Sequence, residues 1–461
     1  MLPLLLSACA TRGALEVDCA GFTQPLPGKS AFRRPLPLSP LEKQIRGIDG
    51  QPDPLGDGQT ESGLLTRTVH AYQQALFRQQ LHKADPLKDN PALSDPAVLL
   101  LSGGGQWGAF GAGFLSRLAE KEEIPNFFMV TGVSTGGMQA MFVGSDDERR
   151  WDWLKQAYSI GREREVVKRN SKLAAIVTGS FAGLTPLRGR IETALCPEAK
   201  GSDPLSCPAI DALKTTNRQI LIGYIEANSG DFFYSDIQQI AQDADAPDAR
   251  ACIAGTALAS AAMPVTFQQV RINDRAYYDG GVRQSVFASL TEKLARTARA
   301  LSPGNEGKSA DAIEDMPFYV IRNGPTALLN EKGTEKVDTS GDALTAAQRA
   351  QQIVTNQLEV GSVAALRLQK PGGLIRFVSA DGWDSHDFTT RKGKRTTCGD
   401  IRKALKGAMF DPDFMDCLMD YGRERADADM PWRELMTIGP AREEMMPVFD
   451  TAILPMPAND N

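Results

Sequence analysis

The sequence predicts an α/β fold built on a mostly parallel sheet with helices on both faces. Two observations predict it. Short runs of consecutive apolar residues recur along the chain, apolar throughout as buried parallel strands require. Segments with apolar residues at helical spacing lie between those runs.

The elements follow in chain order. Residues 10 to about 60 carry Pro25, Pro27, Pro35, Pro37 and Pro40 and read as an extended arm. Leu65, Val69, Tyr72 and Leu76 mark a helix over Leu64–Leu81, packed on the main domain. Residues 10–94 are therefore a tether and helix. The main domain, expected over 95–390, opens with a strand at Ala97–Leu101 and a helix at Gly108–Leu118. A strand at Phe127–Thr131 and a helix at Thr135–Val143 follow. Ile220–Ile225, Phe318–Ile321 and Leu374–Val378 are further strands, and Leu344–Leu368 is a long helix. Residues 302–315 are polar and read as a surface insertion, and no internal repeat is visible. From about Thr389 the strand signal ends, so 391–461 reads as a C-terminal helical segment.

Composition narrows the class. The chain has 461 residues, 42% hydrophobic and 23% charged, with a net charge of −6. A large core is within reach without cystines. The mildly acidic balance argues against a nucleic-acid partner. No run approaches the ~20 apolar residues of a spanning helix.

The first residues read MLPLLLSAC. Leu2–Leu6 is apolar and Leu6-Ser7-Ala8-Cys9 follows at once. Small residues before a cysteine suit a signal peptidase, whose pocket excludes bulk. The run resembles the lipobox of bacterial lipoproteins, although no Lys or Arg precedes Leu6. It implies that residues 1–9 are a signal peptide ending at a lipidated Cys9. Ala10 rather than Asp follows, which favours a cell-envelope protein anchored at the periplasmic face of an outer membrane. Lipidation removes one of seven cysteines and leaves an even six. Cys196 and Cys207 flank a loop, and Cys398 and Cys417 share one segment; the connectivity stays open. No CxxC or His-containing cluster suggests a metal, and no cofactor is implied.

The chemistry lies in three motifs. Gly132-Val133-Ser134-Thr135-Gly136 is a G-x-S-x-G between a strand and a helix. That turn strains the serine backbone and exposes its oxygen at the carboxyl end of the sheet, with the Thr135 N–H aimed at a developing oxyanion. Ser102-Gly103-Gly104-Gly105-Gln106-Trp107-Gly108 also joins a strand to a helix, and its N–H groups can face one anion. Gly103, Gly105 and Gly108 match a dinucleotide fingerprint, but the next strand runs into the serine turn instead of ending on an acidic ribose partner. Tyr278-Asp279-Gly280-Gly281 places a carboxylate after a short strand, and Ala259-Ser260-Ala261-Ala262-Met263-Pro264 ends a helix upstream.

The order GGGxxG, GxSxG, ASxAxP, DGG resembles the patatin-like phospholipase family, over roughly residues 95–390. The resemblance implies a three-layer α/β/α sandwich. It also implies a Ser134–Asp279 dyad, with Gly103, Gly104 and Gly105 as the oxyanion loop. Trp107 stands where that family usually has Lys or Arg.

His70, His82 and His386 are the only histidines. Ser134, Asp279 and His386 do follow the order of an α/β-hydrolase triad. Against it, the two glycine loops lie within one strand–helix–strand unit. With Asp279 as base, its carboxyl needs desolvation to approach neutrality. The expected activity is lipid acyl-ester hydrolysis through an acyl-enzyme. The alternatives are acyl transfer by the same dyad or a non-catalytic lipid-binding lipoprotein. The partners are then an acyl-ester lipid and a membrane surface. Leu173–Leu187 is apolar and fits either an acyl-chain wall or flap, or core helix and turn.

Overall fold

The structure, a computed structural model, describes residues 13–38, 40–48, 58–83, 91–171, 174–175, 178–197, 206–303, 305, 316–328, 343–405 and 407–437. Cys9 lies outside them, as does most of 302–315.

The five strands at the centre of the main sheet are parallel. In chain order they are β3 (Ala97–Leu101), β4 (Phe127–Val133), β7 (Gln219–Glu226), β12 (Phe318–Arg322) and β13 (Ile375–Ser379). They lie side by side as β13-β12-β3-β4-β7. β3 shows why these residues form such strands. Ala97, Leu99 and Leu101 enter one apolar cluster, and Val98 and Leu100 enter another. Alternate side chains thus feed two cores, one on each face, and every residue of β3, β4 and β7 is buried.

Helices cover both cores. The Gly108–Glu120, Thr135–Val143, Ala246–Ala261 and Pro412–Asp427 helices line the first through Phe110, Met141, Leu258 and Leu418. The Gly58–Lys83, Ala288–Ala300 and Ala343–Gln369 helices line the second through Tyr72, Leu294 and Leu366. This is a three-layer α/β/α sandwich, and the expected strands and helices recur with ends shifted by a few residues.

The sheet extends beyond its parallel centre. β11 (Arg275–Asp279) adds antiparallel to β7, and β10 (Gln269–Ile272) adds antiparallel to β11. β8 (Phe232–Asp236) also pairs antiparallel with β7. Two short pieces come from the arm: β1 (Ala14–Val17) pairs with β10, and β2 (Arg34–Pro35) pairs with β8.

The reading of the arm as a tether is corrected for residues 13–38. Leu15, Val17, Phe22 and Phe32 are buried in the first core, and Phe22 packs on Tyr224 and Tyr277. A Cys19–Cys252 cystine closes a separation of 233 residues. Proline does not prevent docking here because Pro35 lies on an edge strand, where no ladder donor is needed.

The C-terminal segment is also corrected. Besides helices it holds β16 (Arg433–Glu434), antiparallel to β13, and its Arg395–Thr397 strand pairs with Asp387–Thr389. Its Pro412–Asp427 helix lies against Gly108–Glu120 at very close range. A Cβ on Gly113 would stand 2.0 Å from the Met419 carbonyl, and one on Gly422 2.2 Å from that of Phe110. Cystines join Cys398 to Cys417 and Cys196 to Cys207. Of the apolar stretch at 173–187, Leu173, Ile176 and Val177 are outside the described residues. The rest holds the Ser180–Gly183 strand and the start of the Thr185–Leu195 helix, with Ala182, Leu184 and Leu187 in the first core.

Candidate active site

Ser134 follows β4 directly and caps the Thr135–Val143 helix with φ 57° and ψ −126°. A non-glycine residue at positive φ is strained, and its neighbours hold it there. A Cβ on Gly132 would lie 2.2 Å from the Gly136 carbonyl oxygen, and one on Gly136 2.3 Å from that of Leu101. Only glycine fits either position. The Ser134 N–H donates to Ser260 Oγ at 2.7 Å, and that hydroxyl donates to the Gly223 carbonyl at 2.6 Å. Ser260 belongs to the ASAAMP run, whose small residues thus pin the turn from behind.

Register brings the carboxylate to the serine. Val133 pairs with Gly223 across β4–β7, and Asp279 pairs with the next residue, Tyr224, across β7–β11. One strand separates the two groups. Gly280 packs against this crossing: a Cβ there would stand 2.9 Å from the Gly223 oxygen and 2.9 Å from Val133 Cγ1.

The Asp279 carboxyl accepts the Gly281 N–H at 2.7 Å and lies next to the Ser134 side chain. Asp279 is 1% exposed and Ser134 8%. Burial pushes the Asp279 carboxyl up to about 7. The neighbouring Ser134 hydroxyl and the hydrogen bond from the Gly281 N–H oppose the rise, and the Glu359 carboxylate adds to it. The desolvation that a carboxylate base requires is present.

The glycine loop lies beside them. A Cβ on Gly103 would stand 3.3 Å from Ser134 Cβ. Gly104 has φ 149° and sits where a Cβ would meet the Asn323 oxygen at 1.9 Å; Gly105 has φ 58° and its Cβ position faces open space. The expectation that all three N–H groups face an anion narrows here. Gly103 donates to Ser285 Oγ at 2.9 Å. Among the described residues, no acceptor in the chain takes the Gly104 or Gly105 N–H. The Thr135 N–H heads its helix, where first-turn donors have no intrahelical acceptor.

Three residues at this site carried no sequence signal. Ser285 Oγ accepts from Gly103 and donates to Glu359 Oε1 at 3.2 Å. Glu359 Oε2 accepts from Arg322 Nη2 at 2.8 Å. All three are buried, and they tie the glycine loop to the Ala343–Gln369 helix.

The histidines are elsewhere. His386 Nε2 lies 3.0 Å from Asp420 Oδ2 and its Nδ1 2.5 Å from Glu424 Oε2, on the Pro412–Asp427 helix. His70 and His82 are exposed on the Gly58–Lys83 helix. Trp107 packs edge-on against Trp383 and Phe414, with the Arg402 guanidinium 5.4 Å from its ring centroid. Among the described residues no group of His, Cys, Asp and Glu could hold a metal ion.

A strained serine after a parallel strand, a buried carboxyl beside it and a glycine loop alongside make up the candidate site. Residues 99–291 match the patatin-like phospholipase family model. The chain carries a patatin-like phospholipase domain there, and the family is one of lipid acyl hydrolases. No curated protein matches the sequence. Among solved structures, VipD from Legionella pneumophila is similar at 15% identity and a TM-score of 0.25, covering 71% of this chain and 67% of that one. A likeness that weak carries no argument.

Proposed function

We propose that the chain is a serine acyl hydrolase of the phospholipase A or carboxylesterase type, working through a Ser134–Asp279 dyad. Asp279 takes the Ser134 proton as Oγ attacks the ester carbonyl carbon. The carbonyl oxygen becomes an oxyanion facing the Gly104, Gly105 and Thr135 N–H groups. Collapse expels the alcohol, which leaves with the proton from Asp279, and an acyl group remains on Ser134. Asp279 then takes a proton from water, whose oxygen attacks the acyl-enzyme. The carboxylic acid departs and Ser134 regains its proton.

The observation that carries this reading is a buried carboxyl beside Ser134, raised to about 7. Such a base is half ionised near neutral pH and close enough in proton affinity to relay a proton. As part of the same reading, Cys9 carries a lipid that holds the enzyme at the cell envelope. Cystines at Cys19–Cys252, Cys196–Cys207 and Cys398–Cys417 fit an oxidising compartment.

The test is covalent labelling with a long-chain fluorophosphonate, followed by peptide mass spectrometry. The adduct is expected on Ser134 and absent from folded Ser134→Ala protein. Labelling of another serine, or full ester hydrolysis by Ser134→Ala, would overturn the assignment.

A further inference from the structure

The Ala343–Gln369 helix is fixed to the body by one side. That inner side carries Glu359, which meets Ser285 under the glycine loop, and Leu366, which enters the second core. Thr355, on the same helix, stands 3.9 Å from the Cβ position of Gly281. With 27 residues the helix is about 40 Å long.

Its outer side is apolar. Ile353, Val354, Val360 and Leu368 are each at least 40% exposed. Ala346, Ala350, Gln357 and Ala364 are exposed before, between and after them. These positions recur at intervals of three and four and so form one seam along the helix. The helix has three charged residues. Glu359 and Arg367 are buried, and Arg349 is half-buried with its Nη1 donating to Gln352 Oε1. No exposed residue of the helix is charged, in a chain that is 23% charged. Among the described residues nothing packs on the seam. A long aliphatic strip without charge is the mark of an interface and not of a solvated helix face.

The order of residues along the seam says what covers it. Turned end for end about Gln357, the seam matches itself. Ala346 falls on Leu368, Ala350 on Ala364 and Val354 on Val360. Ile353 falls on Gly361, where a Cβ would stand in open space. The large side chains thus meet small ones at two of the four steps, and the valines meet each other. Gln357, the polar residue of the seam, falls on its own copy, amide to amide. Arg349 falls on Ala365, so no like charges oppose one another. A lipid surface would accept these residues in any order and gains nothing from this one.

We propose that the outer face of this helix pairs antiparallel with the same face of a second copy of the chain, about a two-fold axis at Gln357. A two-fold contact needs a patch complementary to itself, which this order supplies. Spacing of three and four lets the two helices interlock as in a coiled coil. The paired Gln357 amides fix the register, because a slip of one turn leaves each against aliphatic side chains. The pairing does not depend on the hydrolase reading. It braces from outside the helix whose inner side carries Glu359.

The experiment uses the full chain. Sedimentation velocity over a dilution series should show a dimer that dissociates on dilution. Ile353→Glu and Val354→Glu each bury an unpaired carboxylate at the seam and should weaken the dimer tenfold or more. Both positions are exposed in the single chain, so circular dichroism of the variants should be unchanged. Oxidised Gln357→Cys protein should bridge two copies at position 357, identified by peptide mass spectrometry. A mixture of Ile353→Cys and Gly361→Cys chains should bridge one variant to the other, whereas Ile353→Cys alone should not. Self-bridging of Ile353→Cys would mean parallel helices and overturn the arrangement. A dimer left intact by both glutamate substitutions would overturn it too, since another face would then pair. A monomer at every concentration, without bridging at position 357, overturns the proposal outright. The face then belongs to a lipid surface if Ile353→Glu abolishes pelleting with phosphatidylcholine vesicles, and to another part of the chain or a different protein if it does not.

Discussion

The turn that carries Ser134 shows its glycine requirement in its own sequence, with Ser260 pinning it from behind, whereas the Asp279 carboxyl takes its character from residues distant in the chain. Around Ser134, Gly132 and Gly136 leave room for a strained backbone that no other residue pair would permit. Around Asp279 the local sequence is an ordinary Asp-Gly turn, and the carboxyl gains its character from position. It is buried opposite Tyr224, one strand from the serine, with Glu359 adding negative charge. The proposed nucleophile thus owes most to a local glycine pattern and the proposed base to tertiary register. Substitutions at the two should fail in different ways.

The largest effect separates proton acceptance from shape. Asp279→Asn keeps the volume and can still accept the Gly281 N–H, but its amide cannot take the serine proton. Ester hydrolysis should fall by ~1000-fold or more in kcat/KM, with fluorophosphonate labelling slowed in parallel. Ser134→Ala should lose as much, and the double variant no more than the worse single, because both residues serve one transfer. Additive losses in kcat/KM would mean that the halves act independently.

The pH dependence tests the base directly. A carboxyl raised to about 7 must lose its proton to act, so kcat/KM should fall about tenfold per unit below neutrality, to about one hundredth at pH 5. Stability runs the opposite way. The folded state holds this proton more tightly than the unfolded chain, so its stabilising contribution is complete below the ordinary carboxylate range and lost as pH rises through about 7. Asp279→Asn should therefore raise Tm at pH 8 and leave it nearly unchanged at pH 4. An activity limb near pH 4, or a lower Tm for Asp279→Asn at pH 8, would place the carboxyl in a solvated setting instead.

This contrast also explains what the sequence made legible. The strands β3, β4, β7, β12 and β13 are apolar on both faces, so their runs stood out without alternation to decode. The serine turn was readable because its glycine pattern lies within five consecutive residues, Gly132 to Gly136. The short additions at the sheet margins were less legible. β1, β2 and β16 are two to four residues long, and their pairing depends on partners far along the chain. The arm's prolines obscured Phe22 and Phe32, which fill the core. Ser285, Glu359 and Arg322 gave no signal because a lone Ser, Glu or Arg has many ordinary uses. Their role comes from meeting under the glycine loop.

That meeting yields a smaller effect. Ser285→Ala removes the acceptor for the Gly103 N–H and the link to Glu359. The loop keeps its glycines and its contacts to Asn323, so the chain should fold. The oxyanion donors should lose some of their fixed aim, and kcat should fall by about tenfold with KM little changed. A change in KM alone would mean that Ser285 supports substrate binding and not the transition state.

The smallest effect belongs to His386, which decides between dyad and triad. Its ring is engaged by Asp420 and Glu424, and neither carboxylate belongs to the site. Those partners are 53% and 64% exposed, so the pairs contribute little to stability and solvent screens them. His386→Ala should therefore hydrolyse esters within about twofold of the parent, a change of ~0.4 kcal/mol in the barrier. The pH profile should keep its limb near 7, because Asp279 sets it. Loss of activity by itself would be ambiguous, since the helix carrying Asp420 and Glu424 packs against Gly108–Glu120 behind the glycine loop. The decisive pair of readings is activity together with profile. A thousandfold loss in folded His386→Ala protein, with the limb displaced, would make the imidazole the base and reduce Asp279 to its orienting partner.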